Sequence, residues 1–242
     1  MTAATGFTFG MSPANRVLLQ DFIDEHRVLA LSALSACDWN RDGHPDVIAC
    51  LGGSLATLFL NDGRGGFVPR ELPIEAPNDA GISALYADLD GDGVEELVSS
   101  RVLRFQGDKA SCGLYVRDGE GWRLDDEAFT FRNDVGLRGV GVQTIVPIDI
   151  DEDGDLDLFF GVYGTHESRG GEYNLVEAHD GGYNHLFVNQ GGLKFREETS
   201  LRGLGGKQYT YVALPHDFDH DGDTDLFEGN DFGPNVLWDN DG

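Results

Sequence analysis

A chain of 242 residues that is 40% hydrophobic has the means to bury a core, so its net charge of −26 does not mark it as a disordered acidic tail. That charge excludes nucleic acid and insertion into a membrane as natural roles, because polyanions and anionic surfaces repel it, and no apolar run approaches the length of a bilayer span. It calls for cations instead, and the bias toward Asp (29 against 14 Glu) calls for turns and hard-metal ligands rather than mere solubility.

The other composition signals are weaker. Three Lys stand beside 14 Arg, as salt adaptation would give, but salt adaptation scatters acids and does not place them in register. Cys37, Cys50 and Cys112 form no disulfide framework; Cys37 and Cys50 flank one loop, and buried free thiols are the expected state. The N-terminal stretch from Met1 to Phe7 lacks the basic and apolar regions of a signal peptide.

In chain order, Gly6-Phe-Thr-Phe9 is the first strand-like segment, and Leu31 to Ala36 is the second. The first acidic loop follows: Asp38-Trp-Asn40-Arg-Asp42-Gly43-His44-Pro-Asp46. Val47-Ile48 then begin a strand, and Leu58 to Gly63 with Phe67 form a hairpin. The same order recurs three times. Ile82 to Ala87 leads into Asp88-Leu-Asp90-Gly-Asp92-Gly93-Val94-Glu-Glu96, then Leu97-Val98 and the Leu114 to Trp122 hairpin. Thr144 to Ile148 leads into Asp149-Ile-Asp151-Glu-Asp153-Gly154-Asp155-Leu-Asp157, then Leu158-Phe159 and the Leu186 to Phe195 hairpin. Tyr211 to Leu214 leads into Asp217-Phe-Asp219-His-Asp221-Gly222-Asp223-Thr-Asp225, then Leu226-Phe227 and Val236 to Gly242. The repeats run over roughly residues 30–75, 80–130, 140–200 and 208–242, and their loops start 50, 61 and 68 positions apart.

Strand, loop, strand, connection, strand, tight turn, strand is the order of a propeller blade. The sequence therefore predicts an all-β single domain over 1–242, with four blades of four antiparallel strands. The last repeat stops inside its turn, and Gly6–Phe9 resembles the strand it lacks; the reading is an arc of a larger array, with closure of the ring by Gly6–Phe9 as the alternative.

The loop pattern has a chemical reason. Ca²⁺ takes roughly six to eight oxygens at about 2.3–2.6 Å. Alternate residues of a tight loop point inward, so the first, third and fifth residues supply side-chain oxygens. The sixth is Gly in all four loops because the chain must turn back there. The seventh (His44, Val94, Asp155, Asp223) offers its backbone carbonyl, which frees its side chain to vary, and the ninth closes the site, with both oxygens available. About four Ca²⁺ per chain follow. An EF-hand opens in the same way, but only Glu228 stands at a twelfth position; Ala49, Ser99 and Phe160 occupy the others, and the flanks are strands.

These loops, followed by Leu-Phe-x-Asn-x-Gly strands, resemble the FG-GAP/VCBS repeats that form calcium-bearing propellers in integrin α chains. The segment Asp217 to Trp238 is still more similar to the cartilage acidic protein branch. The resemblance implies a non-enzymatic recognition or adhesion module, extracellular or on the cell surface, with structural calcium and a protein or carbohydrate ligand. Two alternatives stay open. A lectin-like propeller would use Trp39, Tyr163, Tyr173, Tyr183 or Phe232 as sugar platforms, though packing accounts for each singly. A polysaccharide lyase or hydrolase would need a catalytic constellation, and none of the familiar nucleophile, zinc or phosphate motifs occurs. The insertion from Tyr163 to Tyr183 carries His166, Glu167, Arg169, Glu172, Tyr173, Glu177, His179 and Asp180, with His185 beyond it, and reads as a binding loop or as decoration.

Overall fold

In the computed structural model of the chain, residues 32–51, 56–72, 81–104, 109–132, 139–163 and 181–242 are described. Gly6–Phe9 and the middle of the insertion, from His166 to Asp180, lie outside them. The described residues are all-β: β1 (Ser32–Cys37), β2 (Asp46–Leu51), β3 (Thr57–Asn61), β4 (Phe67–Glu71), β5 (Gly81–Ala87), β6 (Glu96–Arg104), β7 (Lys109–Asp118), β8 (Gly121–Arg132), β9 (Gly139–Ile148), β10 (Asp157–Tyr163), β11 (His185–Asn189), β12 (Phe195–Glu197), β13 (Tyr209–His216), β14 (Asp225–Asp231) and β15 (Val236–Trp238).

Each acidic loop joins the first two strands of an antiparallel unit. The units are β1–β4, β5–β8, β9–β12 and β13–β15, and they succeed one another as blades of a β-propeller. The loop-closing pairs occupy one register position throughout: Cys37 opposite Asp46, Ala87 opposite Glu96, Ile148 opposite Asp157 and His216 opposite Asp225. The second and third units are more than neighbours. β6 runs past its own hairpin and pairs with β9 through Val102–Gly141, Leu103–Val140 and Arg104–Gly139, which merges the two into one eight-stranded sheet.

The core lies between the units. Because side chains alternate across a strand, each unit has two apolar faces, and one face covers its predecessor. Ile48 and Leu58 of the first unit pack on Ala84, Tyr86, Leu97 and Tyr115 of the second. Val98 and Leu114 of the second meet Ile145, Leu158, Phe160 and Phe187 of the third. Val146, Phe159 and Leu186 of the third meet Ala213 and Leu226 of the fourth. Each of the most buried Leu and Phe side chains contributes roughly 1.5–3 kcal/mol by leaving water. In the fourth unit the equivalent ladder, Leu214–Phe227–Leu237, is open, with Leu214 54% and Leu237 52% exposed.

None of the three cysteines forms a disulfide; Cys50 and Cys112 are buried and Cys37 is half-buried, and burial pushes the Cys37 and Cys50 thiols up to about 12.

Candidate metal centres

The ninth residue is the keystone of every loop. Asp46, Glu96, Asp157 and Asp225 are 0–2% exposed although they are acids. One oxygen of each accepts the N–H of the second loop residue: Trp39 (3.0 Å), Leu89 (3.0 Å), Ile150 (2.9 Å) and Phe218 (2.8 Å). In three units the other oxygen accepts an N–H at the end of the third strand, from Asn61 (2.7 Å), Asn189 (2.7 Å) or Asn240 (2.9 Å). The sequence offers the ninth residue as a ligand through both oxygens. In these three units each oxygen already holds an N–H, so the residue is a clamp on loop and strand.

The loop interior is wound by its own side chains. Gly43 and Gly93 donate to the first residue, Asp38 or Asp88, both at 2.9 Å, and Gly154 donates to Asp149 at 3.2 Å. In the fourth loop the first residue, Asp217, accepts from His220 at 2.7 Å. The fifth residue accepts from the seventh in every loop: Asp42 from His44, Asp92 from Val94, Asp153 from Asp155 and Asp221 from Asp223, at 2.7–3.1 Å. The sixth-position glycines have φ from +84° to +110°, where a side chain is strained. The fourth residue is also left-handed, at Arg41, Gly91, Glu152 and His220 with φ from +57° to +71°, and only Gly91 signals this in the sequence.

This winding brings acids together. Oxygens of Asp88, Asp90 and Glu96 lie within 4.8 Å of one another, as do those of Asp149, Asp151 and Asp157 and those of Asp217, Asp219 and Asp225. These are the first, third and ninth positions. The fifth-position acids stand outside the triads, and the seventh residues contribute N–H groups to the loop. In the first loop Asp38, Asp42 and Asp46 form no such triad; Asn40 replaces the third-position acid and donates to Asp42 at 2.8 Å.

The electrostatics suit a cation. Asp88 Oδ1 and Asp149 Oδ1 are buried without a hydrogen-bond partner, so the first-position acid of the second and of the third loop keeps one unsatisfied oxygen. Burial, reinforced by the neighbouring Asp residues, pushes Glu96 up to about 7 and Asp157 up to about 6. Asp90 and Asp151 are raised too, again chiefly by burial, with Arg202 beside Asp151 (3.3 Å) working the other way. Asp42 is exposed, and its bonds from His44 and Asn40 hold it below the usual carboxylate range. Oxygen donors alone, on a loop that can close around an ion, fit a hard divalent cation.

The remaining candidates are placed differently. Glu228 is 1% exposed, lies on β14 and accepts from Asn184 at 3.1 Å, so it serves the interior and not the loop. Trp39 packs on Tyr86 (4.6 Å) and Trp122 (5.7 Å), with the Arg117 guanidinium 3.9 Å above the Trp122 ring. Tyr163 packs on Tyr209 and donates to Asp231 (2.9 Å), and Phe232 also meets Tyr209. Packing therefore accounts for Trp39, Tyr163 and Phe232. Tyr183 lies 36% exposed beneath Lys207, and Tyr173 is outside the described residues.

Acidic loops at one register position of successive antiparallel units define a repeat protein of propeller type. Residues 38–99 match the family model of the FG-GAP-like repeat, so the chain carries that repeat. The match covers the first and second loops and ends within β6; the third and fourth loops repeat its template. No curated protein matches the chain.

Proposed function

We propose that the chain is a calcium-binding recognition or adhesion module in which the ions stiffen the blade hairpins and other loops meet the partner. The carrying observation is the set of three oxygen triads at one position of the repeat, two of which include an acid, Asp88 or Asp149, whose buried Oδ1 has no hydrogen-bond partner. Asp88, Asp90 and Glu96 would hold one ion, Asp149, Asp151 and Asp157 a second, and Asp217, Asp219 and Asp225 a third. Asp38, Asn40, Asp42 and Asp46 would hold a fourth, with less charge. Backbone carbonyls of His44, Val94, Asp155 and Asp223 and the fifth-position acids Asp92, Asp153 and Asp221 complete the donor sets. The ion supplies the positive charge that four crowded carboxylates need. The FG-GAP-like repeat supports the module reading and an extracellular or cell-surface setting, and the partner we propose is a protein or a carbohydrate. No helix among the described residues is long and apolar enough to cross a membrane.

Calorimetric titration of chelator-treated protein tests this. About four Ca²⁺ should bind per chain, Mg²⁺ should bind far more weakly because it demands rigid octahedral geometry, and Asp219→Ala should lower the stoichiometry by one. Binding of one ion or none would refute the proposal.

A further inference from the structure

The third-strand asparagines do more than end a hairpin. The Asn189 backbone N–H holds Asp157, the ninth residue of the third loop, while its amide Nδ2 donates to Leu89 O at 2.9 Å. Leu89 lies between Asp88 and Asp90 of the second loop, so one buried residue, 1% exposed, touches the frames of two triads. Leu156, also of the third loop, donates its N–H to the same carbonyl at 3.1 Å. The arrangement repeats one unit further on. The Asn240 N–H holds Asp225 of the fourth loop, and its Nδ2 reaches Ile150 O, between Asp149 and Asp151, at 3.3 Å. Each amide also reaches the eighth-residue carbonyl of its own loop, Leu156 O at 3.5 Å and Thr224 O at 3.4 Å. Asn61 is the contrast: it holds Asp46 in the same way, but the described contact of its Nδ2 is the one within its own unit, to Pro45 O at 3.0 Å.

The second unit departs from the pattern. Arg117 occupies the place of the asparagine and lies over Trp122. The first and second loops are tied from the other direction, by Arg41, which donates to Gly93 O at 2.7 Å and pairs with Glu95.

From these contacts we infer that Asn189 and Asn240 are positioning residues that couple neighbouring calcium sites, the second to the third and the third to the fourth; this rests on the calcium reading above. When the third loop closes on an ion, Asp157 is fixed, Asn189 is fixed with it, and the Leu89 carbonyl is held where Asp88 and Asp90 must converge. The second loop then has less freedom to lose when its own ion binds, which is positive cooperativity without a change of fold. The Asn189 link is the stronger, being shorter, buried and doubled by Leu156.

Asn189→Ala and Asn61→Ala form a matched pair, since each deletes one amide and only Asn189 spans two loops. Calcium calorimetry of the full chain should show all sites still titrating in both. Asn61→Ala should weaken one site, and Asn189→Ala should weaken two, by about 3- to 10-fold each, the worth of one hydrogen bond. Hydrogen exchange across residues 88–92 and 149–157 assigns the sites. Loss of affinity confined to one site in Asn189→Ala would overturn the coupling while leaving the calcium reading intact. A wild-type chain that binds no calcium would overturn both. Should Asn189→Ala fail to fold, Asp151→Ala in the otherwise native chain reads the same link: calcium should then protect residues 88–92 about 3- to 10-fold less at subsaturating ion. Unchanged protection there would overturn the inference.

Discussion

Asp157 is the residue whose removal separates a clamp from a ligand. In Asp157→Ala the N–H groups of Ile150 and Asn189, which the carboxylate now accepts at 2.9 and 2.7 Å, lose their acceptor at a site that is 0% exposed. An unsatisfied buried donor costs about 1–3 kcal/mol, so two cost roughly 2–6 kcal/mol, against a total stability of about 5–15 kcal/mol. Relief of repulsion among Asp149, Asp151 and Asp153 works in the opposite direction. The control is Asp153→Ala, which removes the same charge from the same loop but leaves only the exposed Asp155 N–H without its 2.9 Å acceptor, which water replaces. It should cost less than about 1 kcal/mol. Urea unfolding at pH 7.5 in excess chelator, where no ion contributes, should therefore show a much lower midpoint for Asp157→Ala than for Asp153→Ala. Equal midpoints would refute the clamp and leave the ninth residue a ligand alone.

Two further outcomes follow from the same geometry. Glu96 is pushed up from 4.5 to about 7 and Asp157 from 3.8 to about 6, so the folded metal-free protein holds these protons more tightly than the unfolded chain. Their contribution is present below the unfolded values and is lost as pH rises through 6 to 7, so the melting temperature in chelator should fall over that range. Calcium must displace the same protons, so its affinity should rise over that range, with proton release visible as a buffer-dependent binding enthalpy; an affinity independent of pH would contradict the shifts. Gly154→Ala places a side chain at φ +93° with no atom within 4 Å of the added carbon, so the cost is backbone strain alone, about 1–2 kcal/mol by chemical denaturation, and a neutral result would show that the loop can rewind.

The loops were legible because their chemistry is local. Spacing alone places the first, third, sixth and ninth residues, and the strands around them alternate cleanly enough to set the register that Asp46, Glu96, Asp157 and Asp225 share. The roles of Asn61, Asn189 and Asn240 were hidden by a second valid meaning. Asn before Gly is a turn signal, and Asn189 does accept the Gly191 N–H at 3.1 Å, but its position beside an acid from another strand is set by the sheet. The joining of β6 to β9 was invisible for the same reason: a few extended residues beyond Ser100 announce a strand and not its partner. The left-handed fourth residues Arg41, Glu152 and His220 carry no signal, because the loop's own hydrogen bonds impose what the side chain disfavours.

The backbone itself helps the fold to tolerate its clustered acids. A carboxylate is stabilised by aligned N–H dipoles as well as by cations, and each loop turns backbone donors inward from its second and seventh residues, with a third from the sixth in the first three loops. The donors hold the ninth-position and fifth-position acids and, in the first three loops, one oxygen of the first-position acid. They do not reach Asp88 Oδ1 or Asp149 Oδ1, which stay buried without a partner. The backbone thus keeps the loop wound and leaves these two buried oxygens without a donor. A loop that served solubility alone would turn those oxygens to water, and their burial is the ground for the cation reading proposed above.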